Sequence, residues 1–420
     1  MITICKTVSL LFIIDVYNFI MKFAKRLERI HSSEIREILN VTQNKNIISF
    51  AGGLPSPEYF PVDDLSASFE KAVHKNKNSL YQYSITEGLP ELREFIAGRM
   101  KKRFGFQVSI DEIIITSGAQ QALDLISRIF IEKNKPVYIE KPTFTGALRS
   151  FKLWNPLLRG IDINETGPNL DELNKQILKW GSGIFYVIPN FQNPSGVTHS
   201  LQNRELISEI ANKNDILLLE DDPYGELRFE GKELPALRSF NSNTIFLGSF
   251  SKTIAPGLRL GWAIASKPVI KKMIIAKQIA DLHTSVLSQA IVLEYLKAGS
   301  FDEHLNLLRN KYQEKRDVMI SALSNNFPEA KYKKPLGGLF LWCRLPDDID
   351  IKIFQKEALK KGVAVISGSA FYDGDEPSNF IRLNFSNASH ENIKRGIIVL
   401  KETYEKIIHE NRAKKMVNCL

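Results

Sequence analysis

Three cysteines among 420 residues are too few and too scattered to staple a fold. Cys5, Cys343 and Cys419 form neither a disulfide framework nor the paired spacing of a zinc site, which points to a reducing compartment, the cytoplasm. A long uncharged apolar run is also missing. "TVSLLFIIDVYNFI" comes nearest, but Asp15 interrupts it and no small-residue cleavage site follows. It is shorter than the roughly 20 apolar residues that a membrane-spanning helix needs, so no membrane association is expected. Met21 opens "MKFAKRLERI", a natural start, and residues 1–20 read either as a mis-called leader or as part of the working chain. Nor is charge of one sign concentrated. The chain has 56 Lys and Arg against 47 Asp and Glu, a net +9, yet the basic residues are dispersed and carry no nucleic-acid-binding signature. A solvated basic surface is the reading, with no nucleic acid as partner. Internal repeats and low-complexity linkers are absent too.

What is present is an ordinary globular composition, 44% hydrophobic and 25% charged, long enough for one large domain and a smaller one. From residue 90 onward, apolar strand-like runs alternate with amphipathic helical ones. "EIIIT", "PVYIE", "IFYVIP", "ILLLED", "TIFLGS" and "WAIAS" read as strands; "LPELREFIAGRMKKRF", "AQQALDLISRIF" and "QNRELISEIANK" have helical spacing. That alternation predicts an α/β fold whose large domain, residues 61–295, has a mainly parallel sheet between helices. After residue 295 come a long charged helix around "HLNLLRNKYQEKRDVMISAL" and the strands "GGLFLWCRL", "VAVISGS" and "FIRLNFS". These predict a smaller α+β domain, residues 296–420. Residues 21–60 are expected to pack with it, without a strand of their own.

In open α/β sheets, ligands bind at the carboxyl ends of strands, where loops meet helix N-termini. The chemically suggestive clusters all fall at such places. "IIITSGAQQALDL" passes from strand through Ser117 and Gly118 into a helix, so the amides of Ala119 and Gln120 offer either an anion site suited to phosphate or a plain strand-to-helix turn. "LLLEDDPYGEL" puts acids at the end of a very apolar strand, where a carboxylate needs a cationic or hydrogen-bonding partner, in a salt bridge or at a ligand. "PNFQNPSG" presents Asn193 on a loop, as a turn residue or a ligand contact. "SFSKTIAPGLRLGW" sets Lys252 at a strand end, with Ser249 and Arg259 beside it as donors suited to phosphate. A desolvated lysine loses proton affinity, and its neutral amine forms a Schiff base with an aldehyde. Amine, acid and phosphate cradle together suggest pyridoxal 5′-phosphate, whose ring nitrogen needs a carboxylate partner.

The motifs "SFAGGLPSPEYFP", "YQYSITEGLPELREF", "TSGAQQALDL", "NPSG", "DDPYGEL", "SFSKTIAPGLRLGW" and "FIRLNFS" occur in that order. Together they resemble the fold-type I, pyridoxal-phosphate-dependent aminotransferases of class I/II, within them the 2-aminoadipate and kynurenine aminotransferase subgroup. The resemblance runs from about residue 24 to 405. It implies that Lys252 holds the cofactor and moves the proton at the substrate Cα. It further implies that Asp221 pairs with the ring nitrogen, with Asp222 the competing candidate, and that Tyr224 and Asn193 meet the phenolic oxygen. Ala119, Gln120, Ser249 and Arg259 would bind the phosphate. Phe144 would stack on the ring, at a position usually occupied by tyrosine. Arg382 would clamp the α-carboxylate, and Gly53 would also lie against the substrate. Tyr83 would reach the phosphate of a neighbouring subunit in a homodimer. Arg36, in "HSSEIREIL", would read the substrate side chain, or be a solvated helix-face arginine. The implied reaction is ping-pong transfer of an amino group from 2-aminoadipate, an aromatic or a branched-chain amino acid to 2-oxoglutarate. A β-lyase or a decarboxylase would share fold and lysine. A fused transcriptional regulator would need a DNA-binding module, of which no motif precedes "AGGLPSP".

Overall fold

The computed structural model describes residues 23–27, 46–374, 376 and 378–418, with backbone alone for 413–418. Arg36 and residues 1–20 lie outside the described residues. The strands of the first half are β1 (Ile48–Ser49), β2 (Ile113–Thr116), β3 (Pro136–Lys141), β4 (Leu157–Asn164), β5 (Gly167–Pro168), β6 (Ile184–Val187), β7 (Leu217–Asp221), β8 (Ile245–Ser249) and β9 (Gly261–Ile264). Then follow β10 (Lys331–Tyr332), β11 (Phe340–Arg344), β12 (Val363–Ala364), β13 (Ile366–Ser367) and β14 (Phe380–Asn384). The helices that matter below are α1 (Pro90–Phe104), α2 (Ala119–Phe130), α3 (Thr145–Lys152), α4 (Leu201–Lys213), α5 (Lys267–Ala280), α6 (Val286–Lys297), α7 (Phe301–Asn326) and α8 (His390–Asn418).

Eight strands form one sheet in the order β2-β9-β8-β7-β6-β3-β4-β5. The run β4-β3-β6-β7-β8 is parallel throughout, while β9 lies antiparallel to both of its neighbours. β6, β7 and β8 are almost entirely buried, as strands covered on both faces must be. Their alternate residues divide between two cores. Ile114, Ile139, Tyr186, Leu219 and Leu247 point to the face where Leu123 and Ile126 of α2 pack. Ile113, Ile115, Phe246 and Trp262 point the other way, against Leu92 and Ile96 of α1 and Val292 and Leu293 of α6. Phe185, Val187 and Leu218 share that second face with Ile207 of α4. This two-residue period settles which side chains can reach the same ligand.

A second sheet, β10-β11-β14-β13, is antiparallel and packs on α7 and α8. Ile381 and Leu383 enter the core while Arg382 between them faces away from it. One expectation needs correction: the segment before residue 60 does contribute a strand. β1 pairs in parallel with β12, and Phe50 continues the contact, donating from its amide to Ala364 O at 2.9 Å. Two residues are too short a signal to stand out from loop in the sequence, yet this pairing carries Ala51 and Gly53 between the two sheets. Among the described residues no helix is long and apolar enough to cross a membrane, and no group of side chains is set to hold a metal ion.

Candidate active site

The carboxyl ends of β2, β3, β6, β7 and β8 lie at one edge of the large sheet, and the predicted residues Ala119, Gln120, Phe144, Asn193, Asp221, Tyr224, Ser249 and Lys252 lie at or shortly after them. β2 leads through Ser117 and Gly118 into α2. Gly118 has φ +79°, and a Cβ on it would stand 2.6 Å from an Arg259 guanidinium nitrogen, so only glycine leaves this cradle open. No side chain caps α2, which leaves the turn carrying Ala119 and Gln120 free to offer amides to an anion. Arg259 closes the cradle, donating to Ser117 O at 3.3 Å and to Pro256 O at 3.2 Å. The Gln120 side chain turns elsewhere. It donates to Ser150 Oγ at 2.8 Å and Gly146 O at 3.2 Å, tethering α3 just beyond half-buried Phe144.

Behind the turn lies a buried cation. Lys277 of α5 donates to Gln121 Oε1 at 2.7 Å and to Asp281 Oδ1 at 2.8 Å, while Gln121 Oε1 also accepts from the Ser117 amide at 2.8 Å. Burial lowers the Lys277 proton affinity, and the Asp281 carboxylate works against that loss.

Lys252 follows β8 directly. Its half-buried amine donates to Gly53 O at 2.7 Å. Burial, then the positive charges of Arg382 and Arg259, lower its pKa from 10.5 to about 8. The neutral amine is thus within reach of physiological pH. Ser249 hydrogen-bonds Ser251 Oγ at 2.9 Å and accepts from the Ser251 amide at 3.1 Å, so Ser251, which the sequence reading passed over, shares its place.

Asp221 ends β7, buried, and accepts from Tyr186 Oη at 2.8 Å on Oδ2. Its Oδ1 is buried without a partner. Burial raises the carboxyl pKa to about 7, against the pull of Tyr186 and with a push from Asp222. Asp222 differs. Alternation turns it to the other side, where Asn190 Nδ2 donates to it at 2.9 Å and Arg103 at 3.2 Å, so both of its oxygens are committed to the framework.

Asn193 links two groups. Its Nδ2 donates to Tyr224 Oη at 3.3 Å, and its Oδ1 accepts from Arg382 Nη1 at 2.8 Å. Gln192 holds this loop by donating to Pro142 O at 2.7 Å and to Glu140 Oε2 at 3.3 Å, and Glu140 is itself 2.6 Å from His199 Nε2. Arg382 also donates to Ala51 O at 2.5 Å, and its guanidinium carbon lies 4.3 Å from the Phe340 ring centroid and 4.9 Å from that of Phe371. Its Nε is buried without a partner, and burial lowers its pKa to about 10. Burial likewise raises Tyr224, further than Arg382 lowers it.

Tyr83 stands apart. It is 79% exposed, with its ring edge-on to His283 at 5.9 Å, and it touches none of the groups above.

These features fit pyridoxal 5′-phosphate: an unpartnered buried carboxylate oxygen, an uncapped helix start closed by an arginine, and a lysine amine of lowered proton affinity. The sequence reading missed Tyr186, Ser251, Gln192 and Glu140. Tyr186 and Ser251 touch predicted residues, Gln192 and Glu140 brace the loop beside Asn193, and only the strand alternation around Tyr186 carried a signal for any of them.

Comparison with known proteins agrees with the geometry. A sequence model of the family described as aminotransferase class I and II matches residues 56–400. An aromatic-amino-acid aminotransferase from Thermococcus litoralis is 39% identical over 389 residues, 91% of this chain and 93% of that protein. A Pyrococcus horikoshii kynurenine aminotransferase, solved with pyridoxamine phosphate, matches with TM-score 0.87 and 38% identity over 93% of this chain and 98% of that one. An α-aminoadipate aminotransferase from Thermus thermophilus, solved with N-(5′-phosphopyridoxyl)-L-leucine, matches with TM-score 0.86 and 35% identity, covering 92% and 98%.

Proposed function

This chain belongs to the class I and II aminotransferases and is a pyridoxal-phosphate-dependent transaminase, and on that premise we propose the division of labour in its site and the range of its substrates. The observation that carries the proposal is the placement, at the carboxyl ends of the paired parallel strands β8 and β7, of a lysine amine of lowered proton affinity and a buried carboxylate with one oxygen unpartnered. Pyridoxal 5′-phosphate, when bound, supplies the electron-withdrawing ring that takes up charge from the substrate Cα.

The chain's own residues do the rest. Lys252, as the neutral amine, would take the proton from the substrate Cα, the base of the transfer. With the cofactor bound, Asp221 Oδ1 would hold the proton at the ring nitrogen, and Tyr224 and Asn193 would donate to the phenolic oxygen. Ala119 and Gln120 amides, Ser249 and Arg259 would hold the phosphate, and Phe144 would stack on the ring. Arg382 binds the α-carboxylate, its Nη groups shared with Asn193 and Ala51, while Gly53 borders the same space. Phe340 and Phe371 keep water from it.

The donors we propose are 2-aminoadipate, aromatic and branched-chain amino acids, with 2-oxoglutarate as acceptor in a ping-pong cycle. Names of the matched proteins include aromatic-amino-acid, kynurenine and α-aminoadipate aminotransferases, which supports that range. Arg36 is proposed to meet acidic side chains. A charge-assisted hydrogen bond contributes roughly 1.5–3 kcal/mol, so Arg36→Ala should lower kcat/KM for glutamate and 2-aminoadipate by about ten- to a hundred-fold. Leucine and phenylalanine half-reactions should barely change. Equal losses on all donors would remove Arg36 from side-chain recognition. In the same donor panel with 2-oxoglutarate, ammonia and pyruvate in place of glutamate would overturn transamination in favour of lyase chemistry.

We also propose a homodimer in the cytoplasm, in which Tyr83 reaches the partner's phosphate. Exposed Tyr81, Tyr83 and Ile85, with Ile279 and Leu282 flanking His283, support an apolar contact surface. Lys252→Ala and Tyr83→Ala subunits refolded together should regain about a quarter of wild-type activity, since half the dimers are mixed and each of these has one intact site. A mixture no more active than its parents would dismiss a shared site, and cell fractionation checks the location.

A further inference from the structure

We infer that Tyr186 is a positioning residue for the cofactor's ring nitrogen, acting through Asp221. The inference rests on the assignment of Asp221 to that nitrogen. Three observations carry it. The first is register. Tyr186 of β6 pairs with Leu219 of β7, and Asp221, two residues on, lies on the same face as its diagonal neighbour, within reach of a long side chain. The second is the bond: Tyr186 Oη donates to Asp221 Oδ2 at 2.8 Å, so a single carboxylate oxygen, Oδ1, remains, buried and unpartnered.

The third is burial. Tyr186 is fully buried, its ring edge-to-face with Phe151 at 5.5 Å, and its hydroxyl needs a partner there. A core aromatic with no further duty would be served by phenylalanine, which adds no polar atom to an apolar face. The phenol does two things that phenylalanine cannot. It fixes the rotation of the carboxylate about its Cβ–Cγ bond, and it withdraws charge from Oδ2, which makes Asp221 a weaker base. A weaker base leaves the shared proton on the ring nitrogen, where it must be for the ring to draw electrons from the substrate.

The test uses the holoenzyme loaded with pyridoxal 5′-phosphate labelled with ¹⁵N at the ring. Tyr186→Phe should move the ¹⁵N resonance toward its unprotonated position. It should lower kcat by about ten- to a hundred-fold, the range of a hydrogen bond to a charged group, with donor KM little changed. Replacing Tyr186 with 3-fluorotyrosine, a stronger donor of nearly the same shape, should move the resonance the opposite way, and it keeps the test open if the phenylalanine variant folds poorly. Asp221→Asn is the control. If it shifts the resonance while both Tyr186 variants leave it unchanged, the inference about Tyr186 is overturned. If Asp221→Asn itself leaves the resonance in place, the assignment of Asp221 is what fails. A purely structural tyrosine would lower thermal stability or cofactor affinity without moving the resonance.

Discussion

Lys252→Ala is expected to give a folded protein that takes up pyridoxal 5′-phosphate yet has lost transamination by about 10⁴-fold or more, because one substitution removes both the amine nucleophile and the base. Folding should not suffer. The amine's bond is to a single carbonyl, Gly53 O, and its charge is held in the field of Arg382 and Arg259. Removing a desolvated cation from two like charges costs the folded state little. The proposed phosphate cradle, the turn at Gly118 closed by Arg259, uses none of the Lys252 side chain and should remain. Absorption spectroscopy reads uptake: the variant should bind the cofactor but lack the visible band of the lysine-linked form. Small amines added to the assay should restore part of the rate, since they replace the missing base. Normal turnover without them would remove Lys252 from the mechanism.

The second large effect separates two adjacent acids. Asp221→Ala should lower kcat by about 10³-fold, because it removes the buried carboxylate proposed to meet the ring nitrogen. Asp222→Ala should leave the chemistry nearly intact and instead destabilise the protein by about 2–3 kcal/mol. It strands Asn190 Nδ2 and takes one partner from Arg103, whose guanidinium keeps Glu233 and Glu226. Thermal melting and steady-state kinetics on the two variants read both halves. The reverse ranking, with Asp222 catalytic and Asp221 structural, would mean that the strand end is occupied one residue out of register. Between these acids, geometry decides more than proton affinity does: Asp222 has both oxygens engaged, and Asp221 has one free.

Much of this was legible in the residues alone. Continuous apolar runs such as "IFYV" and "LLLED" could only be strands covered on both faces, and helical runs between them required a mainly parallel sheet. Strand-end placement alone gathers Ser117, Asn193, Asp221 and Lys252 at one edge of the sheet. The two-residue strand β1 was not legible, because so short a segment carries no period. Neither were Gln192 and Glu140, whose roles arise from contacts across about fifty residues of chain.

The sequence by itself determined the architecture and which side chains are candidates for the reactive groups, since burial periodicity and turn chemistry are local properties of the chain. Only the tertiary structure decided how those groups are tuned. The lowered proton affinity of Lys252 comes from burial and from arginines 7 and 130 positions away, and Asp221 and Asp222 differ in the partners that β6, α1 and the loop after β6 supply. Hydrogen bonding and desolvation depend on which surfaces meet, and a linear pattern holds no record of that until the chain has closed on itself.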